Sequence, residues 1–162
     1  ENQKAIGSFE KATQINPNYV LAHNNLGNAL KELGEYQKAI SSFEKAIQIN
    51  PNYANAHYNL GNVLKKLGEQ QKAISSYEKA IQIQPNYAKA YNNLGKVFRE
   101  LNKFNKSASY YEKALKLDPN REETCLGYGN LLLKFNQHDK ALPYIKKATG
   151  FISFTQKDFK II

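Results

Sequence analysis

The residues of this chain that could do chemistry are few, and they recur at a fixed interval. His23 and His57 stand 34 positions apart, and Cys125 falls three such intervals after His23. Imidazoles suggest a zinc site, but zinc needs three or four ligands, and neither histidine brings further ligands with it. A nucleophilic cysteine needs a base oriented beside it, and the sequence suggests none near Cys125. The recurring glycines do not build a phosphate loop; each stands after a leucine or where an apolar series pauses. No catalysis, metal or cofactor is therefore expected, and the two histidines and Cys125 read as packing residues. What remains periodic is an amide: Asn25, Asn59 and Asn93 keep the same 34-residue interval. A carboxamide both donates and accepts, so it can bond the two polar groups of a peptide backbone unit without reading the side chain.

Bulk composition narrows the partner. The chain has 162 residues, 41% of them hydrophobic, and a formal charge of +9. Its basic residues are scattered through pairs such as Glu44 with Lys45 and Glu78 with Lys79, the pattern of a solvated helix face. A nucleic-acid surface would show a basic stripe with aromatic stacking platforms, so nucleic acid is not the expected partner. No apolar run approaches the roughly 20 residues of a membrane-spanning helix, and membrane insertion is not expected. The lone Cys125 excludes an internal disulfide, which favours a cytoplasmic setting. No methionine opens the chain, and its first residues read as the middle of a structural unit, the expectation for a segment of something longer.

The amides are positioned by a repeat. Residues 20–53 and 54–87 align without a gap and differ at eight of 34 positions; 88–121 and 122–155 continue the frame, the last in degenerate form. Within each block an apolar series at helical spacing runs for about a dozen residues, pauses at Gly34, Gly68, Asn102 or Asn136, and resumes. Glycine and asparagine tolerate the left-handed conformation that ends a helix, so each block is predicted to be two helices and a turn. Pro51, Pro85 and Pro119 close the second helix, because the residue before a proline avoids the helical conformation. Leu60 and Ala73 are expected to fill the core and Lys65 to point outward. Pro143 is tolerable if its helix begins near Asp139.

These blocks resemble the tetratricopeptide repeat family, whose pattern is an aromatic, Leu-Gly, a large residue, a small Ala, an aromatic, another Ala and a Pro. Block one offers His23, Leu26-Gly27, Leu30, Ala39, Phe43, Ala46 and Pro51; block two has His57, Leu60-Gly61, Leu64, Ala73, Tyr77, Ala80 and Pro85; block three has Tyr91, Leu94-Gly95, Phe98, Ser107, Tyr111, Ala114 and Pro119. The resemblance implies an all-α fold, a right-handed superhelix of antiparallel helix pairs. Its divisions would be 1–19 as the second helix of a truncated repeat, three repeats at 20–53, 54–87 and 88–121, and a degenerate fourth at 122–155. Residues 156–162 would be a capping helix, with Thr155 as its N-cap, or the start of a following domain.

In this family the first helix of each pair lines the concave face, so the resemblance implies a peptide-binding set of Asn24, Asn25, Asn28, Tyr58, Asn59, Asn62, Lys65, Asn92, Asn93, Lys96, Arg99 and Asn130. The row Asn25, Asn59 and Asn93 is similar to the asparagine ladder of O-linked N-acetylglucosamine transferase; the same amides could instead bond within and between helices. The clamp that grips the carboxylates of heat-shock chaperone tails is incomplete, since Asn24 and Asn28 stand where it needs a lysine and an asparagine. Cations outnumber carboxylates on this face, which favours an acidic protein or peptide partner. The implied function is a non-catalytic protein-interaction scaffold binding an extended peptide or partner helix. The alternatives are a substrate-recruiting arm of a larger enzyme, such as a glycosyltransferase, and self-association through the ends of the array, where Ile6, Phe9 and Ile15 lack a partner helix.

Overall fold

A computed structural model describes residues 2–150, 153–154 and 159–160. The chain divides into two compact units, Glu1–Pro85 and Asn86–Ile162. The first holds α1 (Asn2–Ile15), α2 (Val20–Glu32), α3 (Tyr36–Ile49), α4 (Ala54–Lys66) and α5 (Gln70–Ile83); the second holds α6 (Ala88–Glu100), α7 (Phe104–Leu117), α8 (Glu122–Lys134) and α9 (His138–Thr149). Within each unit every helix packs chiefly on its sequence neighbours, and the first helices of successive pairs also touch, α2 on α4 and α6 on α8.

The helix ends follow from the residues named above. Gly34, Gly68, Asn102 and Asn136 all have positive φ, between 56° and 79°. Each lets the chain reverse while capping the carbonyls of the helix before it. Gly34 N–H donates to Lys31 O and Glu35 N–H to Leu30 O, and the same two bonds recur at Gly68, Asn102 and Asn136, the double closure of a Schellman motif. The helices α3, α5 and α7 end two residues before proline, with the intervening Asn50, Gln84 and Asp118 in extended conformations, as the clash with the proline ring requires. Asn50 Oδ1 then accepts from the Asn52 N–H at 3.0 Å, starting the turn into α4.

The hairpins α2–α3, α4–α5 and α6–α7 each close on an aromatic ring laid over a glycine. A Cβ added at Gly27 would lie 2.6 Å from the Phe43 ring, and one at Gly61 or Gly95 would lie 2.7 Å from the ring of Tyr77 or Tyr111. All three rings are fully buried. In the first unit Leu30, Ala39, Phe43 and Val63 form one core cluster, with Ile6, Leu26 and Leu60 packed at its edge. In the second, Tyr111, Leu115, Cys125, Tyr128, Leu131, Leu132, Ala141 and Ile145 form another. Ser107, which stands where the earlier blocks have alanine, is wholly buried and donates its hydroxyl to Gly95 O at 2.7 Å. Its polar group is thereby satisfied inside the core.

Four details differ from expectation. Leu60 is only partly buried, lining a cleft beside His57 and Leu64 rather than filling the core, whereas Ala73 is fully enclosed. Pro143 lies in the second turn of α9, which begins at His138, so it removes one internal helix bond rather than an amide that had no partner. Ile6 packs on the first core cluster, while Ile15 is 86% exposed. The capping helix expected over 156–162 falls mostly outside the described residues. Within that stretch Phe159–Lys160 form a short strand, β2, antiparallel to β1 (Ser153–Phe154).

Candidate functional site

The first helices carry every residue of the expected binding set. In the first unit their polar side chains form an amide network. Asn24 is 5% exposed; its oxygen accepts from Asn59 Nδ2 at 3.0 Å, and its own Nδ2 donates to Asn25 Oδ1 at 3.4 Å. The bond between Asn59 and Asn24 joins α4 to α2, so at this rung the amides do bond between helices. Asn25 is exposed, and Asn28, Tyr58, Asn59, Asn62 and Lys65 are half-buried. Asn62 is held from behind: Tyr77, whose ring lies under Gly61, donates its hydroxyl to Asn62 Oδ1 at 2.9 Å. Tyr58 leans on the same ring, with centroids 5.9 Å apart.

In the second unit the network becomes ionic. Asn92 is fully buried, and its Nδ2 donates to Asn93 Oδ1 at 3.3 Å and to Glu123 Oε2 at 3.2 Å. Lys96, one turn along α6, pairs with Glu123 Oε1, and Arg121 Nη2 reaches Glu123 Oε2 at 3.2 Å. Burial pushes the Glu123 carboxyl up, but hydrogen bonds and charge from Lys96 and then Arg121 hold it below the usual carboxylate range. Arg99 is half-buried and Asn130 exposed, away from this cluster's hydrogen bonds.

Arg121 is the member that sequence reasoning missed. It occupies the position that is Tyr19, Tyr53 and Tyr87 in the earlier blocks, and Glu123 the position of Leu21, Asn55 and Lys89. A departure from the repeat at two positions, two residues apart and opposite in charge, was the available signal.

The histidines have a definite structural task. His23 Nε2 lies 2.9 Å from Pro17 O, and His57 Nε2 lies 2.9 Å from Pro51 O. A carbonyl only accepts, so each ring carries its proton on Nε2 and ties the first helix to the turn before it. Cys125 repeats the contact more weakly, with its thiol 3.6 Å from Pro119 O. Burial raises the Cys125 thiol above its ordinary value, which keeps it a thiol rather than a nucleophilic thiolate. Among the described residues no three His, Cys, Asp or Glu side chains gather as a metal site would require, and no helix is long and apolar enough to cross a membrane.

Two clefts lie on the side of the second helices. One of about 470 Å³ runs between α3 and α5 over His57, Leu60 and Leu64 of α4. Another of about 440 Å³ runs between α7 and α9 over Tyr128 of α8, whose hydroxyl donates to Glu112 at 2.6 Å.

Comparison with known proteins bears on what such a face does. A family model described as TPR repeat matches residues 1–34, 27–68 and 61–100, and one described as tetratricopeptide repeat matches 88–121. No curated protein matches the chain in sequence. Among solved structures, MamA from Desulfovibrio magneticus RS-1 is 26% identical with a TM-score of 0.80, covering 92% of this chain and 84% of MamA. YrrB, described as a TPR protein with an unusual peptide-binding site, is 25% identical with a TM-score of 0.75, covering 88% of this chain and 73% of YrrB. The pilF protein of Pseudomonas aeruginosa, at 24% identity, shares the fold with a TM-score of 0.87 over 95% of this chain and 70% of its own.

Proposed function

This chain belongs to the tetratricopeptide repeat family, and on that premise we propose that it is a protein-interaction scaffold taking an extended peptide along the face of its first helices. The observation that carries the reading is the polar row on that face. Asparagine is a poor helix former, yet Asn24, Asn25, Asn28, Asn59, Asn62, Asn92 and Asn93 all stand inside helices. Helical stability is not what such a choice serves. Two of these amides are held in place from within the fold, Asn62 by the buried Tyr77 and the buried Asn24 by Asn59. Groups fixed in this way bind without a further ordering cost. Each amide has two donors and an acceptor with two lone pairs, so an amide such as Asn24, with two internal bonds, still has capacity for a ligand backbone. YrrB's description as a peptide-binding protein supports the same reading.

Within each unit, packed helices lie roughly 8–10 Å apart, a distance that an extended peptide covers in about three residues. One asparagine per three ligand residues is thus a workable register. The excess of cations over carboxylates on the face favours acidic ligands. The test is to select peptides from a displayed random library and map the bound peptide by amide chemical-shift changes. The expected footprint lies on α2, α4, α6 and α8; a footprint confined to α3, α5, α7 and α9 would move the function to the clefts between the second helices.

A further inference from the structure

Three donors from two segments of the second unit converge on the carboxylate of Glu123. Lys96 takes Oε1, while Asn92 Nδ2 and Arg121 Nη2 take Oε2, each at 3.2 Å. Glu123 sits in the first turn of α8, where the helix N-terminus also favours a negative charge. Its side chain is nevertheless 48% exposed, so it can swing into water without disturbing the fold.

The second observation is an orphaned acceptor in the floor of this cluster. Asn92 is fully buried, and with its amide N–H groups directed at Asn93 and Glu123, its Oδ1 has no donor. Buried amide oxygens are rarely left so. The repeat explains how it arose. Asn24 occupies the same position in block one, and its oxygen is satisfied by Asn59 of the next block. The residue that corresponds to Asn59 for Asn92 is Gly127, which has no side chain. A side chain there would crowd its neighbour, since a Cβ at Gly127 would lie 3.0 Å from the Tyr111 ring and hydroxyl. The second unit therefore lacks the internal amide that completes the first unit's network, and it holds a carboxylate beside the gap.

We propose that Lys96, Arg121 and Asn92 form a carboxylate-binding site for an acidic peptide, and that Glu123 fills it in the unliganded chain as a built-in competitor. A ligand carboxylate replaces that of Glu123, and a neighbouring ligand backbone N–H satisfies Asn92 Oδ1. This rests on the reading of the first-helix face as the peptide-binding face, and it adds a selection rule. Ligands without a carboxylate at this point leave Glu123 in place, while those with one must outcompete it. The site takes its specificity from the contest between two carboxylates.

The probes are an acetylated, amidated peptide of alternating Glu and Gly, its Gln and Gly counterpart, and the Gln and Gly peptide with a free C-terminus. Glu123→Gln keeps the side-chain shape but removes the competing charge. It should tighten the Glu peptide about ten-fold, the worth of one charge-assisted hydrogen bond, with the amidated Gln peptide unchanged. Adding Lys96→Ala should cancel the gain. A gain seen with the free C-terminus and not with the Glu side chains would assign the site to a terminal carboxylate. In the unaltered chain, the side-chain carboxyl carbon resonance of Glu123 should move toward that of free glutamate as the Glu peptide is added. Unchanged or weakened binding of both carboxylate-bearing peptides by Glu123→Gln, or a Glu123 resonance that stays fixed at saturation with both, would overturn the proposal. Failure of the wider reading has a different sign, namely library-selected neutral peptides that leave no footprint on the first helices.

Discussion

Replacing Gly61 with alanine should destabilise the protein, although alanine is the better helix former by about 1 kcal/mol. The added Cβ would lie 2.7 Å from Tyr77 Cε1, 2.8 Å from Cδ1 and 3.1 Å from Cζ, whereas carbon atoms rest at about 3.5–4.0 Å. The ring must therefore retreat by about 1 Å. It has little freedom to do so, because Tyr77 is fully buried and its hydroxyl is tethered to Asn62 at 2.9 Å. Overpacking of this kind costs about 1–3 kcal/mol, which offsets or exceeds the propensity gain and leaves a net loss of up to about 2 kcal/mol. Gly7 is the control. It lies inside α1 with nothing within 4 Å of an added Cβ, so Gly7→Ala should stabilise by nearly the full propensity difference, about 1 kcal/mol. The assay is equilibrium urea unfolding followed by far-ultraviolet ellipticity. Gly61→Ala should unfold at lower urea than the parent and Gly7→Ala at higher, and shrinking Tyr77 to leucine should erase the penalty at Gly61. If Gly61→Ala unfolds at the same urea concentration as Gly7→Ala or above it, the ring-over-glycine account of the hairpin is wrong.

The hydroxyl of Tyr111 is buried without a partner, so Tyr111→Phe, which restores the ring type of Phe43, should be neutral or stabilising by about 1 kcal/mol at neutral pH. Burial pushes the Tyr111 hydroxyl up to about 12; a raised value means that full stability holds below the unfolded value near 10 and is lost as pH rises from there through 12. Unfolding midpoints across that range should fall less steeply in Tyr111→Phe, and equal slopes would show that Tyr111 is not the group responsible. At Asn102, with φ near 57°, alanine should cost about 1 kcal/mol and glycine should be tolerated. Urea midpoints for the two variants decide this, and an alanine variant as stable as the glycine one would remove the left-handed turn from the argument.

The fold was legible because each repeat states its boundaries in residues whose conformations are restricted. Gly34, Gly68, Asn102 and Asn136 mark the reversals, and the residues before Pro51, Pro85 and Pro119 mark the second-helix ends. The site was legible as a face but not as a network. Position in the repeat tells which helix side Asn59 occupies, yet not that its amide reaches back to Asn24. That bond depends on the spacing of α2 and α4, which packing decides. The role of Glu123 was hidden for a related reason, since its partners Asn92 and Lys96 belong to the preceding block and meet it only when α6 packs on α8, and Arg121 joins the cluster through Glu123. The role of His23 and His57 could have been read from the recurring Pro-Asn-Tyr that precedes each by six residues, counted from the proline. Ring size alone suggested packing, and the Nε2 bond to the proline carbonyl was the part that needed coordinates.

The central claim, that the first-helix asparagines serve a ligand rather than the fold, is tested most directly by the variant carrying Asn25→Ala, Asn59→Ala and Asn93→Ala. Each backbone bond contributes about 0.5–1.5 kcal/mol, so three together should lower peptide affinity by about one to three powers of ten. Alanine is the better helix former, so helicity should hold or rise, although loss of the bonds that Asn59 and Asn25 make to the buried Asn24 lowers stability by about 1–3 kcal/mol. The measurement is a binding titration of this variant against several library-selected peptides, with an unfolding curve on the same sample. The account predicts a similar loss of affinity for every peptide, with a folded variant whose unfolding midpoint is only modestly lowered; unchanged affinity with a sharply lowered midpoint would contradict it and return the asparagines to the architecture.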